Sequence, residues 1–219
     1  MLDAGWPSRY NVWMLSASPK LSNASKMPCK SWSLPAVISC PGAHNKDGSL
    51  VSACAGCYAT KGRYKFGAVQ SLREHNMEDW KRSGWVAAMV KAIGKGKYFR
   101  WFDSGDVCSA ELAKKIYNVM LQTPNCEHWL PTRSYKIGGI EDWLLSMSFL
   151  DNVTVRYSSD SVNGKRVPGD TTSTIIQSAE DFIPSKGYAL CRAFERKGKC
   201  GSCRACWSKS IHTVAYIAH

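Results

Sequence analysis

The chain is poor in acidic residues and contains no long hydrophobic run. Its 219 residues include 17 Asp and Glu against 29 Lys and Arg, for a formal net charge of +12. Every apolar run falls short of the roughly eighteen residues that a membrane-spanning helix needs, so we expect no membrane association. The first ten residues, MLDAGWPSRY, lack the basic flank and apolar stretch of a secretory signal. We therefore expect a cytoplasmic protein.

Internal repeats and low-complexity tracts are also absent from the sequence, which excludes a repeat architecture. A chain of this length, with 44% hydrophobic and 21% charged residues, is predicted to form one domain over residues 1–219. The positive charge favours an anionic partner such as nucleic acid, although a merely soluble basic surface explains it equally well. Part of the excess is local, because residues 186–219 hold seven Lys or Arg and the single acid Glu195.

Strand and helix patterns alternate through the middle of the chain. The aromatic run KYFRWFD (residues 97–103) predicts a buried strand, and a helix with Ser109 as its N-cap follows. HWLPTRS (128–134) and NVTVRYSSD (152–160) predict two further strands, with a helix between them that includes Ile140 and Met147. Such alternation favours an α/β fold in which helical crossovers connect parallel strands.

The flanking regions complete the predicted organisation. Residues 1–38 are predicted to form an extended lead-in, and the glycine-rich segment 40–66 a long first cysteine loop. The α/β part extends over residues 67–183, where helical periodicity breaks at Ser83 and Gly84 and stops at Gly94. Residues 184–219 form a C-terminal cysteine loop and a last strand, HTVAYIA.

Polar side chains follow three of the predicted strands directly. In parallel α/β sheets, binding sites lie at the carboxyl ends of the strands, so these positions are candidates for lining a pocket. Each also has a plainer interpretation, a turn or helix-start residue for Asp106 and a salt-bridge residue for the later ones. The candidate residues are Ser104, Gly105, Asp106, Arg133, Arg156 and Asp160.

Seven of the ten cysteines fall into two groups with metal-ligand spacing. Cytosolic thiols stay reduced, so clustered cysteines there favour metal binding over disulfides. Zinc and iron–sulfur clusters both use C-x2-C pairs, whereas the compact C-x2-C-x2-C run of the tail is typical of a cluster loop. One site shared between the two groups remains an alternative. The candidate ligands are Cys40, Cys54 and Cys57 in the first group, and Cys191, Cys200, Cys203 and Cys206 in the tail.

The other cysteines and the nearby histidines have simpler interpretations. Cys29, Cys108 and Cys126 stand singly and are expected to pack as small apolar groups. His44 and His212 lie close enough in sequence to substitute for a sulfur ligand, but a solvated or core histidine is the more ordinary role.

The segments SCPGA, ACAGCYA, WFDSGDV, HWLPTRS and CGSCRACW with the closing HTVAYIAH resemble a phage-encoded family of cysteine-rich proteins, gene product eighty-eight. The resemblance covers residues 25 to 219, and members of that family resemble radical S-adenosylmethionine enzymes. It implies a truncated, partial TIM-like barrel in a phage protein located in the cytoplasm of the infected cell. A complete eight-stranded barrel typically needs about 250 residues.

The same resemblance implies roles for the candidate residues. Cys40, Cys54 and Cys57 would hold a 4Fe-4S cluster with one iron left for S-adenosylmethionine, whose amino group would meet Ser104-Gly105-Asp106. The tail cysteines would hold an auxiliary cluster. Thirteen residues separate Cys40 from Cys54 where that pattern has three, and the aromatic Tyr58 follows the last cysteine instead of preceding it.

Three hypotheses follow for function. The first is a radical enzyme that uses S-adenosylmethionine, and the second is a relative that keeps cluster binding but has lost the S-adenosylmethionine site. The altered first loop favours the second over the first. The third is a zinc-stapled basic module that binds nucleic acid or a host protein without catalysis.

Overall fold

The computed structural model describes residues 18–218, so the first part of the predicted lead-in, residues 1–17, lies outside the described residues. The strands are β1 (Ser31–Trp32), β2 (Tyr98–Trp101), β3 (Glu127–Thr132), β4 (Val153–Ser158), β5 (Thr172–Ile176), β6 (Tyr188–Leu190) and β7 (Thr213–Ile217). The α-helices are α1 (Ser52–Ala55), α2 (Gly67–Asp79), α3 (Trp85–Ile93), α4 (Ala110–Leu121) and α5 (Glu141–Ser148).

All seven strands join one parallel sheet in the order β1-β2-β3-β4-β5-β7-β6. The predicted α/β class and parallel sheet are confirmed, while its closure toward a barrel stays a prediction. Helical crossovers connect the first four strands in succession. Helices α1 to α3 lie between β1 and β2, α4 lies between β2 and β3, and α5 lies between β3 and β4. The connections after β4 consist of turns and short 3-10 segments, because residues 159–171 are polar and glycine-rich and carry no helical period.

Local sequence signals account for most element boundaries. The break predicted at Ser83 and Gly84 separates α2 from α3, and the backbone leaves the helix at Gly94 with a φ of +57°. Ser109 caps α4, because its hydroxyl accepts a hydrogen bond from the Leu112 amide at 3.2 Å. Strand β6 was not expected from the sequence, since its three half-buried residues are too few to show a period.

The two faces of the sheet pack against different material. Phe99 and Trp101 of β2 belong to the main core, which helices α3 to α5 complete. Tyr98 of the same strand lies on the opposite face, where Trp129 and Trp207 form a small second core. Because successive side chains of a strand point to opposite faces, one strand serves both cores. Within residues 18–218, no helix has the length and apolar character needed to cross a membrane.

His128 is a fully buried polar residue of the main sheet. The Trp101 indole donates to Nδ1 of His128 at 3.2 Å, so that nitrogen is an acceptor and Nε2 carries the hydrogen. Nε2 then donates to the Thr123 hydroxyl at 2.8 Å, which itself donates to the Val119 carbonyl at 2.7 Å. Protonation of Nδ1 would place a second N–H donor opposite the Trp101 indole N–H, and the hydrogen bond between them would be lost. Burial lowers the pKa of His128 from 6.5 to about 4.

This network predicts a specific loss of stability in acid. Below pH 6.5 the unfolded chain binds a proton at His128 that the folded chain refuses until about pH 4. The folded state therefore loses about 3 kcal/mol over that interval from this residue. Urea unfolding at pH 7 and pH 4 measures the loss, and His128→Asn, which keeps an acceptor for the indole, should lack that part of it. The exposed His44→Asn is the control, and equal pH dependence in both variants would contradict the assignment.

Candidate functional site

The first thiol group consists of Cys40, Cys54 and Cys57, which line one cavity of about 600 Å³. Cys40 precedes a short 3-10 turn, Cys54 lies in α1, and Cys57 lies two residues after the end of α1. The Cys57 amide donates to the Cys54 carbonyl at 3.1 Å, so one tight turn holds both residues of the C-x2-C pair. The predicted loop 40–66 is thus a chain of short helical turns that brings these three thiols to the same wall.

Backbone contacts dock this loop onto the carboxyl ends of β3 and β4. The Ala53 amide donates to the Asp160 carbonyl at 2.9 Å, and the Ser52 hydroxyl donates to the same oxygen at 3.1 Å. At Gly42 the backbones touch, because a Cβ there would lie 2.1 Å from the Arg133 carbonyl oxygen. Only glycine permits this approach.

Two thiols of the first group, Cys40 and Cys54, are favoured in their protonated form by their surroundings. Burial raises the pKa of Cys40 to about 12, and the nearby Asp106 carboxylate adds to the rise. Burial also raises the pKa of Cys54, while the guanidinium of Arg133 opposes that rise. A thiolate-binding cation would therefore have to displace protons from these sulfurs.

Ser104, Gly105 and Asp106 line the same cavity, and the protein already uses part of their hydrogen-bonding capacity. The Ser104 hydroxyl donates to the Leu34 carbonyl at 2.8 Å. Gly105 has a φ of +78° and packs so closely that a Cβ would lie 2.6 Å from Ser39 Oγ. The carboxylate of Asp106 accepts from the Val107 and Arg133 amides, both at 2.7 Å, and burial raises its pKa. This turn therefore fixes β1 and the end of β3 as well as facing the cavity.

The remaining candidates of the strand ends lie in different places. Arg133 lines the cavity and donates from Nε to the Ser159 carbonyl at 2.9 Å. The Asp160 carboxylate is an ion-pair partner of Lys136, at 2.8 Å, and of Arg133, at 4.0 Å. Arg156 lies beneath the tail loop and is fully buried. Neither Asp160 nor Arg156 is part of the cavity wall.

The tail thiol group consists of Cys191, Cys200, Cys203 and Cys206, which line a second, small cavity of about 20 Å³. Left-handed backbone at Lys197 and Gly201 turns the loop back on itself, with φ values of +52° and +56°. The Cys203 amide donates to the Cys200 carbonyl at 3.1 Å, while the Cys200 amide donates to the Lys26 carbonyl at 2.8 Å. Burial raises the pKa of Cys206 to about 11, and the hydroxyl of Tyr216 opposes that rise.

The guanidinium of Arg156 holds the tail loop on the sheet. It donates to six backbone carbonyls at 2.7–3.5 Å, all but one of them in residues 205–212. The Trp207 indole adds a bond to the Phe99 carbonyl at 3.0 Å. A guanidinium has five N–H donors in a fixed plane, which suits it to bind several carbonyls of one loop at once. The acceptors are the carbonyl oxygens of Thr172, Ala205, Cys206, Ser208, Ile211 and His212.

The two thiol groups lie in separate places and are linked through Tyr216. Its hydroxyl lies 3.1 Å from Cys206 Sγ, and the residue also lines the large cavity. None of the ten cysteines forms a disulfide. Across residues 18–218, no three His, Cys, Asp or Glu side chains are arranged to hold a single metal ion. Cys29 packs in the second core beside Cys200 and Cys206, so a fifth thiol accompanies the tail group.

Among the cavity residues that the sequence analysis did not single out are Arg100 of β2, Trp129 of β3 and Tyr216 of β7. Arg100 carried a usable signal, because a lone cation inside the aromatic run KYFRWFD needs a polar environment on one face of the strand. Nothing in the local pattern distinguishes Trp129 or Tyr216 from core aromatics.

The sequence model of the gene product 88 family matches residues 8–209. The chain belongs to this family. No curated protein and no solved structure matches it. The family match covers both thiol groups and the cavity residues Ser104, Gly105, Asp106 and Arg133, whereas Tyr216 lies beyond the matched residues.

Substitution of Gly42 tests the docking of the first thiol group. Gly42→Ala forces a methyl group against the Arg133 carbonyl, and we expect it to lower the free energy of unfolding by about 1–3 kcal/mol. Gly56→Ala is the matched control, since no atom lies within 4 Å of its added Cβ. Urea unfolding compares the variants. Equal stability of the two would show that the loop is not packed on β3 as described.

Substitution of Arg156 tests the clamp on the tail loop. Arg156→Met removes a donor from six carbonyls, so we expect a loss of at least about 3 kcal/mol in unfolding free energy. Backbone amides still donate to the carbonyls of Ala205, Ser208 and His212. Arg192→Met, at an exposed ion pair with Glu195, should change it by less than about 0.5 kcal/mol. The clamp would be refuted if both variants unfolded at the same urea concentration.

Proposed function

We propose that the protein is a redox protein with two iron–sulfur sites, one at each thiol group. The observation that carries this proposal is the separation of seven thiols into two groups, with a large cavity beside the first. Thiolates are the usual ligands of such clusters, and the reduced cysteines of this chain supply them. This choice favours two sites over one shared site.

The tail group suits a closed cluster site. Four thiols match the four irons of a 4Fe-4S cluster, so coordination by Cys191, Cys200, Cys203 and Cys206 would be complete. A cluster bound by four thiolates is anionic, and the Arg156 and Arg100 charges lower the pKa of Cys206 against the effect of burial. The Tyr216 hydroxyl would donate to the Cys206 sulfur in that state. Hydrogen bonds to cluster sulfurs tune the reduction potential.

The first group suits an open cluster site. Three thiols leave one iron of a 4Fe-4S cluster without a protein ligand, and the cavity adjoins those thiols. For this iron we propose a small-molecule ligand, with S-adenosylmethionine as the first to test. Asp106 would face its amino group, and the sheet would curve around the cavity as a partial barrel. The Arg133 guanidinium favours ionisation of Cys54 when a cation replaces its proton.

Bound clusters would supply one-electron transfer, and the protein itself would position the reactants and limit water. Cys54 is buried and Cys40 is half-buried, which limits solvent access to the first site. Trp207 and Tyr216 cover the tail site from the side of the sheet. The apolar wall of the cavity, which includes Phe102 and Ile175, lowers the local dielectric constant.

Iron analysis of paired variants tests this proposal. We expect about eight irons per chain after anaerobic loading, and about four in either Cys54→Ala/Cys57→Ala or Cys200→Ala/Cys203→Ala. The loaded protein should be brown and bleach with dithionite. Cys108→Ala is the control, because this thiol packs against the main core, and it should keep all its iron.

Other outcomes separate the rival explanations. Loss of all iron in each paired variant would indicate one shared site. Stoichiometric zinc in colourless protein would contradict the iron–sulfur proposal and favour a structural zinc module. Reduced, cluster-loaded protein that neither binds S-adenosylmethionine nor forms 5'-deoxyadenosine would restrict the function to cluster binding.

A further inference from the structure

Arg100 is a cation in the wall of the large cavity whose hydrogen-bonding capacity is largely unused. Its Nη1 donates to the thioether sulfur of Met27 at 3.3 Å, and its Nη2 lies 3.5 Å from the Tyr58 hydroxyl oxygen. A thioether is a weak acceptor, and 3.5 Å is long for a bond to a hydroxyl. The Nε of Arg100 is buried without a hydrogen-bond partner among residues 18–218.

The contrast with Arg156 shows that this lack is particular to the cavity. The chain surrounds the Arg156 guanidinium with six carbonyls, so the fold can satisfy a buried guanidinium where it serves only structure. Arg100 has no ion-pair partner within 4.0 Å in the described part of the chain. The carboxylate of Asp103, which also lines the cavity, pairs instead with Arg73 at 3.9 Å.

Trp129 extends the same polar surface. Its ring lies 4.4 Å from the guanidinium carbon of Arg100, and its buried indole N–H also lacks a partner among the described residues. The indoles of Trp32, Trp80 and Trp85 lack partners as well, but they belong to the main core. Trp129 differs because it lines the cavity. Among the described residues, its indole N–H is thus a second unpaired donor at the cavity, beside the Arg100 guanidinium.

We propose that Arg100 and Trp129 form a binding site for the anionic group of a small organic ligand, a carboxylate or a phosphate. A guanidinium binds either group through parallel N–H bonds, and the indole supplies one more donor. The remaining wall includes Phe102, Pro131 and Ile175, which suits an apolar or aromatic body. A volume of about 600 Å³ is large enough for such a ligand. Binding of an anion at Arg100 requires no iron in the chain.

Titration calorimetry on the full chain, with its iron content measured, tests the site with three probes. Benzoate presents a carboxylate, phenyl phosphate presents a phosphate, and benzamide is the neutral analogue of benzoate. We expect at least one anion to bind at least about tenfold more tightly than benzamide. Arg100→Gln should weaken that binding at least about tenfold, and Trp129→Phe severalfold. The exposed Arg192→Gln should leave it unchanged.

Three outcomes would overturn the site. If neither anion bound more tightly than benzamide, charge would play no part, and unchanged anion affinity in Arg100→Gln would place the anion elsewhere. Failure of both anions to bind the wild-type chain would also refute it. Arg100→Lys keeps the charge without the planar fork, and an intermediate loss is expected if Arg100→Gln does not fold. Loss of iron sites in the cysteine variants, with anion binding retained, separates this site from the cluster proposal.

Discussion

The hydrogen bonds from the Arg156 guanidinium to the tail backbone are the interaction on which the arrangement of this protein depends. Burying a cation is costly, and here carbonyl dipoles from one loop and from β5 compensate for the lost water. Because the acceptors surround Cys206, the same bonds fix one end of the tail thiol group. The buried Arg156 guanidinium therefore positions the Cys206 sulfur on the sheet.

The first thiol group is positioned by different means. Close backbone contacts, rather than a buried cation, hold this group in place. The backbone of Gly42 packs against that of Arg133, and the Asp160 carbonyl accepts a hydrogen bond from the first turn of α1. Asp106 completes the frame by accepting the Arg133 amide. The cavity therefore has walls made of strand ends and tight turns, whose shape depends on glycines and buried hydrogen bonds more than on side-chain packing.

The sequence predicted the half of the fold that follows periodic patterns. Aromatic run 97–103, the Ser109 cap and the break at Gly84 each corresponded to an observed element, because local chemistry determines them. Strand β6 and the helix-free connections after β4 were not predicted, since short polar segments acquire structure only from their partners. The position of Arg156 depends on register: it pairs with Pro131 in the middle of the sheet, and its side chain lies under the tail. The position of Arg156 near a predicted strand end did not indicate which face of the sheet its side chain would lie on.

The two halves of the molecule, β1 to β4 and β5 to β7, are stabilised in different ways. Strands β1 to β4 share the main core with α3 to α5, where large apolar side chains such as Trp85 and Met89 are fully buried. The second core has three buried members, and β5 to β7 contribute no residue to the main core within the described chain. Around the second core, hydrogen bonds donated by Arg156, Thr154 and Trp207 hold the tail loop on the sheet instead. Polar bonding of this kind sets a loop's position more sharply than apolar packing does, because hydrogen bonds are directional while the hydrophobic effect is not. It follows that the four tail thiols lie in the half of the molecule whose geometry is fixed by directional bonds.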